Sequence, residues 1–244
     1  MARPFLTARW ESLLLLNYAC PPERLAPLVP AGTELDLWQG EALVSVVGFL
    51  FQDTRLLGVP VPFHRHFEEV NLRFYVRREV GGETRRAVAF VRELVPRRAI
   101  ATVARVVYNE PYRTVPMSHD VRLDAEAGGT VAYHWRHRGE RYTLRGRAEG
   151  PAALAAPGTE AAFITEHYWG YTAQRDGGTL EYEVVHPSWR LWTLDEAAFE
   201  GPPASLYGDA FADVLAGPPR SAVLAVGSDV AVHIGRRIDE RPGR

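Results

Sequence analysis

Three polar residues at alternate positions, Glu69, Asn71 and Arg73, form the most chemically capable group in this sequence. They lie within residues 67–77, where polar and apolar side chains alternate, and this alternation predicts a strand with all three on one face. A rise of roughly 3.3 Å per residue places successive members about 7 Å apart. A carboxylate, an amide and a guanidinium at that spacing could bind a small polar ligand. The same alternation is also typical of a strand whose polar face meets solvent, so the pattern alone leaves both interpretations open.

The chain contains no lysine, whereas arginine occurs 28 times. A guanidinium stays protonated at any working pH and forms no imine, so no residue side chain here can make a lysine Schiff base. This excludes pyridoxal-phosphate enzymes, imine-forming aldolases and decarboxylases, Walker-type phosphate loops and protein kinases as functions of these residues. What remains is acid–base chemistry or ligand binding.

A tyrosine followed by an arginine, Tyr112-Arg113, comes directly after Pro111, which is expected to end the preceding helix. The charge of the arginine is expected to favour the phenolate, so the tyrosine could exchange protons together with Glu69. A tyrosine in this position could equally cover one end of a barrel. The predicted catalytic residues are Glu69 and Tyr112, and the predicted ligand-binding residues are Asn71, Arg73 and Arg113.

The histidines offer a rival site, because His64 and His66 are two residues apart and would share one face of an extended segment. One of His119, His167 or His186 could complete a zinc or iron site, but no tighter ligand motif supports it. Ser118, His119 and Asp120 are consecutive, so in a strand they point to opposite sides and cannot relay protons. We therefore expect no metal and no other cofactor.

Composition limits the partners and the compartment. The formal net charge is -2, so we expect no nucleic-acid partner and no attraction to anionic lipid. The early apolar run, Leu13 to Leu16, is far shorter than the roughly 20 residues that span a membrane, which predicts a soluble protein without a membrane partner. A single cysteine, Cys20, rules out an internal disulfide, and a cytoplasmic location follows as the default. Six tryptophans and ten tyrosines leave an assembly module or homo-oligomer open as a third class of function.

Short, turn-separated apolar runs predict an α+β fold that is mainly β, with two or three helices. Because strands and helices do not alternate regularly, an antiparallel or mixed barrel is favoured over a doubly wound sheet. We expect a single domain over residues 1–235 and a disordered tail over 236–244. The predicted strands are 10–18, 35–38, 42–51, 67–77, 87–95, 115–123, 130–138, 140–148, 179–186 and 221–234, and the predicted helices are 22–28, 96–108, one capped by Thr159 that carries Phe163, His167 and Tyr171, and 205–215.

Four segments, taken together and in this order, resemble an uncharacterised bacterial family that is grouped with the acetoacetate decarboxylase-like superfamily. They are residues 28–36, 67–76, 109–112 and 163–169. The resemblance covers the chain to about residue 235. It implies a closed, curved β-barrel with two or three flanking helices and an internal cavity.

The resemblance also assigns positions within that cavity. Glu69 matches a glutamate that faces the cavity in the decarboxylases, whereas Tyr112 and Arg113 stand where the two decarboxylase lysines would be. It therefore implies the fold and the cavity without the imine chemistry. We predict a barrel that binds a small molecule, an organic acid for preference. The alternative is an enzyme that uses Glu69 and Tyr112 as acid and base, of the isomerase, hydratase or lactone hydrolase type.

Overall fold

A computed structural model describes residues 3–97 and 109–238, and strands dominate both ranges. The four helices of these ranges are all short, with no more than six residues. The strands are β1 Leu6–Ala19, β2 Glu34–Leu35, β3 Leu43–Leu56, β4 Val59–Pro60, β5 Phe67–Val80, β6 Glu83–Val95, β7 Tyr112–Thr114, β8 Met117–Asp124, β9 Gly128–His137, β10 Glu140–Glu149, β11 Ala153–Leu154, β12 Trp169–Ala173, β13 Thr179–Val185, β14 Arg190–Thr193, β15 Glu196–Glu200, β16 Ser221–Val232 and β17 Arg236–Ile238. The helices are α1 Pro22–Leu25, α2 Glu160–Thr165, α3 Pro203–Tyr207 and α4 Ala212–Ala216.

Seven strands close into a barrel, in the order β1, β3, β5, β6, β12, β13 and β16, with β16 pairing again with β1. The pairs are antiparallel except for β6 with β12, which run parallel. Closure removes free edges from these seven strands, which is one way in which β proteins protect their backbone hydrogen-bonding groups. The predicted mainly β, closed barrel is confirmed.

A second sheet, β15-β10-β9-β8, packs against the outside of the barrel. Its strands β8, β9 and β10 confirm the three strands predicted over residues 115–148. Tyr133 and Leu144 from this sheet lie in the same buried cluster as Val46 and Leu72 of the barrel. This outer core explains why the central barrel strands are apolar on both faces.

Strand β5 follows the predicted alternation, but neither of its faces meets solvent along the middle of the strand. Val70 and Leu72 lie in the outer core, whereas Tyr75 lies in a second buried cluster inside the barrel. Glu69 and Asn71 are buried on the inner side. The polar row is therefore an interior row, and the alternative of a solvent face does not apply here.

A β-bulge in β6 changes which residues of that strand face inward. Leu72 pairs with Arg92, but the next residue of β5 pairs with Phe90, so Val91 is the extra residue. Before the bulge Phe90 lines the interior, and after it Glu93 does. A regular strand would have placed Glu93 on the same side as Val91, because side chains alternate.

Several predicted helices differ from the structure. Thr159 caps α2 as expected, since its hydroxyl accepts a hydrogen bond from the amide of Ala162 (3.3 Å), but the helix ends at Thr165. His167 and Tyr171 are thus beyond it. No helix within residues 3–97 and 109–238 has the length and apolar character needed to cross a membrane.

Two further predicted helices and the predicted tail are only partly matched by the described residues. The helix expected over 205–215 is divided at Gly208, whose φ of 92° is incompatible with continuing the helix. The helix expected over 96–108 falls almost entirely outside the described residues. The tail expected to be disordered from residue 236 begins instead as β17, because Arg236–Ile238 pair with β13; residues 239–244 lie outside the described residues.

Close packing of the two sheets at Gly48 gives a test of this architecture. A Cβ at Gly48 would meet Tyr133 Cδ2 at 2.6 Å and Leu144 Cδ2 at 2.9 Å. We expect Gly48→Ala to lower the free energy of unfolding by about 1–3 kcal/mol, as overpacking does. Gly217→Ala is the control, because a Cβ there meets no described atom within 4 Å. Denaturant unfolding measures both, and equal stability of the two variants would contradict the sheet packing.

Candidate functional site

The barrel encloses a cavity of about 210 Å³. Its walls are mainly aromatic and aliphatic, with Trp10 from β1, Phe49 and Phe51 from β3, Phe67 from β5, and Trp189. The ring centroids of Phe51 and Phe67 are 4.6 Å apart and those of Trp10 and Phe49 are 5.2 Å apart. Such walls suit the apolar body of a small ligand, while the few polar groups fix its orientation.

Three glutamates line one part of this cavity. Glu69, Glu93 and Glu110 are 3%, 1% and 7% exposed, respectively. Glu69 comes from β5, Glu93 from β6 after the bulge, and Glu110 from the residues that precede β7. We call these three residues the carboxyl cluster.

Tyrosine and amide groups hold the carboxyl cluster in place. The hydroxyl of Tyr112 donates to Glu69 Oε2 at 3.0 Å, and Asn71 Nδ2 donates to Glu69 Oε1 at 3.1 Å. Tyr182 donates its hydroxyl proton to Glu110 Oε1. The structure thus brings together three residues named from the sequence, Glu69, Asn71 and Tyr112. Tyr112 also pairs with Glu93 in the parallel register of β6 and β7, which explains how the phenol reaches the cluster.

Burial sets the protonation behaviour of the cluster. Desolvation raises the pKa of Glu69 to about 7, despite hydrogen bonds from Asn71 and Tyr112 that oppose the shift. The pKa of Glu110 is raised to about 7 by the same cause, and the pKa of Glu93 is raised well above its usual value, by burial and then by the neighbouring carboxylates of Glu110 and Glu69. The ligand-free cluster therefore holds protons near neutral pH that exposed carboxyls would have lost.

The prediction that the charge of Arg113 favours the phenolate of Tyr112 is wrong. Burial and the nearby carboxylates raise the pKa of the Tyr112 phenol well above its usual value, so the group is a proton donor. Arg113, whose charge was expected to lower it, follows Tyr112 in β7, and neighbouring strand residues point to opposite sides. Its Nη1 lies 2.9 Å from His137 Nε2 instead, and it is not among the residues that line the cavity.

A cationic group, Arg73, lines the same cavity. Its Nη2 donates to the backbone carbonyl of Ile164 at 3.2 Å, while its Nε is buried without a hydrogen-bond partner among the described residues. The charge of Arg73 contributes to lowering the pKa of His167 and of His186, both of which line the cavity, after the larger effect of burial. Arg73 is absent from the charges that act on the carboxyl cluster.

A buried ion-pair network supports the wall next to Arg73. His167 Nε2 lies 3.1 Å from Asp36 Oδ2, and Arg86 Nε donates to the same oxygen at 2.7 Å. Burial lowers the pKa of His167 to about 4, which keeps the imidazole neutral, and its Nδ1 has no partner among the described residues. Asp36 and Arg86 were not selected from the sequence, although Asp36 and His167 both fall in segments that carry the family resemblance.

The histidines do not assemble into the metal site considered from the sequence. His64 lines the cavity, but His66 Nδ1 contacts Gln52 and His119 Nδ1 lies 2.8 Å from Glu68 Oε1. In the part of the chain that the structure describes, no group of three histidine, cysteine or acidic residues is arranged to hold a metal ion. The three glutamates of the carboxyl cluster are therefore not arranged to hold a metal ion either.

Sequence reasoning missed two members of the carboxyl cluster. Strand alternation alone puts Glu93 on the side of Val91, because nothing in the local sequence marks the bulge at Val91. Glu110 precedes the helix-ending Pro111, and the local pattern gives no sign that this residue is buried. The asparagine before Glu110 is a turn signal in the sequence, because asparagine tolerates the left-handed conformation. In the structure Asn109 adopts a φ of 58° and its side chain donates to the carbonyl of Ala173, which fixes the turn that buries Glu110.

Several solved structures share the fold of this chain. An acetoacetate decarboxylase-like enzyme from Sphingomonas wittichii RW1 matches 98% of this chain and 94% of its own chain, with a TM-score of 0.66 and 15% identity. Acetoacetate decarboxylase from Legionella pneumophila matches 99% of this chain and 90% of its own, with a TM-score of 0.65 and 15% identity. The enduracididine biosynthesis enzyme MppR, solved in complex with pyruvate, has a TM-score of 0.65 and 14% identity, and covers 97% of this chain and 91% of its own. At these identities the likeness shows a shared fold.

Comparison of sequences places the chain in a family. The uncharacterized protein YqjF of Bacillus subtilis (strain 168) is 27% identical over 197 residues, which are 78% of this chain and 75% of that protein. The sequence profile of the DUF2071 family, described as uncharacterized conserved proteins, matches residues 7–229. With its acetoacetate decarboxylase-like barrel and a sequence match over most of its length, the chain belongs to the DUF2071 family.

Proposed function

We propose that this barrel binds a small organic acid, with the carboxylate at Arg73 and the apolar body between the aromatic walls. Arg73 lines the barrel cavity, and its buried Nε has no hydrogen-bond partner among the described residues; this is the observation that carries the proposal. A guanidinium has five N–H donors and prefers a bidentate carboxylate partner. The one side-chain hydrogen bond of Arg73 in the described ranges, to Ile164, leaves donors for a ligand.

The size of the cavity supports a small ligand. A volume of about 210 Å³ is below the range of roughly 300–1,000 Å³ that is typical of pockets for drug-sized molecules. The structure of MppR with pyruvate shows that a barrel of this fold can bind a small organic acid. The sequence contains no lysine, so we propose binding without a lysine imine.

A second candidate function is proton transfer, and the contact between Glu69 and Tyr112 favours it. A carboxyl with a pKa of about 7 is matched to a general base at neutral pH, and a tyrosine with a raised pKa can donate a proton. The two groups meet at 3.0 Å in the cavity wall. An isomerase, a hydratase or a lactone hydrolase would use this arrangement, with the bound acid or lactone as substrate.

The binding proposal predicts different effects for two arginines. We expect Arg73→Ala to weaken binding of hexanoate at least tenfold, because a charge-assisted hydrogen bond contributes roughly 1.5–3 kcal/mol. Arg113→Ala is the matched control and is expected to leave the affinity unchanged, because Arg113 contacts His137 and does not line the cavity. Titration calorimetry of hexanoate measures both affinities. Equal affinities for the two variants would rule out Arg73 as the carboxylate-binding residue.

The proton-transfer candidate predicts exchange of carbon-bound hydrogen next to a carbonyl. We expect the protein to accelerate deuterium incorporation into 4-oxopentanoate in D₂O, followed by NMR. Glu69→Gln should abolish the acceleration and Tyr112→Phe should reduce it by roughly 10²–10⁴-fold, the usual contribution of general acid–base catalysis. Tyr168→Phe is the control, since Tyr168 bonds Glu166 and does not line the cavity. Unchanged exchange in Tyr112→Phe would remove this tyrosine from the mechanism.

The carboxyl cluster also predicts how stability depends on pH. The pKa of Glu69 is raised from 4.5 to about 7 on folding, so the folded state binds more protons than the unfolded state between these values. The contribution of Glu69 to stability should therefore be greatest at the acidic end of this window and fall as pH rises through it, whereas the contribution of His167, whose pKa is lowered to about 4, rises with pH. Thermal unfolding between about pH 4.5 and 7.5 measures the fall. Glu69→Gln should make it shallower, whereas Glu83→Gln, an exposed position at the start of β6, should not.

A further inference from the structure

The cavity has two polar regions of opposite character. Arg73 acts on His167 and His186, whereas the charges that act on the carboxyl cluster come from the cluster itself. Arg73 is four positions along β5 from Glu69, which corresponds to roughly 13 Å between their Cα atoms. A ligand that reaches from Arg73 along this row therefore brings its far end toward the three carboxyls.

No arginine or histidine in the described part of the chain forms a hydrogen bond or an ion pair with the carboxyl cluster. The groups that shift the pKa values of Glu69, Glu93 and Glu110 likewise include no arginine or histidine. The hydrogen bonds they receive come from neutral groups, namely the hydroxyls of tyrosine and threonine and the amide of Asn71. Three buried carboxyls without a counter-charge keep protons unless a cation arrives with a ligand.

Two oxygen atoms beside the cavity are also unused, and both are hydrogen-bond acceptors when Glu93 is ionised. Glu93 Oε2 and Asn71 Oδ1 are buried and have no hydrogen-bond partner among the described residues, and both residues line the cavity. Leaving a buried acceptor unpaired is destabilising. Asn71 is separate from the carboxyl cluster and already donates to Glu69, so what it lacks is a donor.

A primary ammonium group matches these requirements. It carries three N–H donors and a positive charge, and accepts no hydrogen bonds. Two donors can satisfy the unused acceptors, and the third can bond a further carboxylate oxygen. A metal ion matches less well, since the described residues hold no three-ligand group arranged for metal binding.

We infer that the ligand of this cavity carries a primary ammonium group that the carboxyl cluster binds, so that the ligand class is the amino-carboxylic acids. The inference rests on the proposed function, because Arg73 is taken to bind the carboxylate at the other end. Glu69, Glu93 and Glu110 thus recognise a positive charge at the end of the ligand that is away from Arg73.

Four probes of equal chain length separate the two ends of the ligand. Titration calorimetry at pH 8 compares hexanoate, 6-hydroxyhexanoate, 6-aminohexanoate and hexylamine. At this pH the ammonium is still charged, because a primary amine of this kind has a pKa of about 10.4. We expect 6-aminohexanoate to bind at least tenfold more tightly than hexanoate and than 6-hydroxyhexanoate. Glu93→Gln should bring the ratio of the 6-aminohexanoate affinity to the hexanoate affinity close to one, and Glu83→Gln should leave that ratio unchanged.

Proton release gives a measurement that does not depend on a variant. Calorimetry at pH 7 in two buffers of different ionisation enthalpy counts the protons released on binding. Because an ammonium favours the ionised carboxyls, 6-aminohexanoate should release protons at pH 7 and fewer at pH 9, whereas hexanoate should release none. The groups that face this site are Glu69 and Asn71 on β5, Glu93 on β6, Glu110 and Tyr112 before and on β7, and Tyr182 on β13.

The outcomes distinguish the inference from the function on which it rests. If hexanoate binds and 6-aminohexanoate binds no more tightly than hexanoate or 6-hydroxyhexanoate, the ammonium inference is wrong and the organic-acid function stands. If hexylamine binds through the glutamates while neither acid depends on Arg73, the carboxylate assignment is wrong and the ammonium site stands. If none of the four probes binds, both are wrong.

Discussion

The burial of three carboxyls inside a closed barrel is the constraint on which the rest of the site depends. A carboxylate away from water is costly, and three together repel one another, so the folded protein tolerates them by hydrogen bonding and by raising their pKa values. Tyr112, Tyr182 and Asn71 each donate a hydrogen bond to one of these carboxyls. These same groups form the polar part of the cavity wall, so the network that makes the cluster tolerable also gives the cavity its chemistry.

The outer core makes this arrangement possible. The barrel strands bury apolar side chains against the four-stranded sheet on one side, and this packing leaves their inner faces free to carry polar residues. Strand β5 shows both roles, with Leu72 in the outer core and Glu69 in the cavity wall. The stability of the fold and the polarity of the site are therefore supplied by opposite faces of the same strands.

The lack of lysine gives the cavity a different character from an imine-forming site. The chain shares its fold with acetoacetate decarboxylase from Legionella pneumophila, and its own sequence excludes a lysine imine. In this chain the carboxyls face a neutral phenol, and Arg73, the arginine among the described residues that line the cavity, lies at the other end of the row. The separation of Arg73 from the glutamates is why we treat the cavity as one that recognises opposite charges at two ends.

The sequence by itself determined the parts of this protein that follow from local pattern and from side-chain chemistry. The alternation in residues 67–77 predicted β5 and placed its polar row on one face, the turn-separated runs predicted β8, β9 and β10, and the missing lysine excluded lysine imine chemistry. Only the tertiary structure decided which neighbours these residues meet. The bulge at Val91 brings Glu93 into the cavity, the turn at Asn109 buries Glu110, and the alternation of β7 turns Arg113 away. These choices depend on pairing between strands distant in sequence, and a single strand's pattern carries no information about the partner that shifts its register.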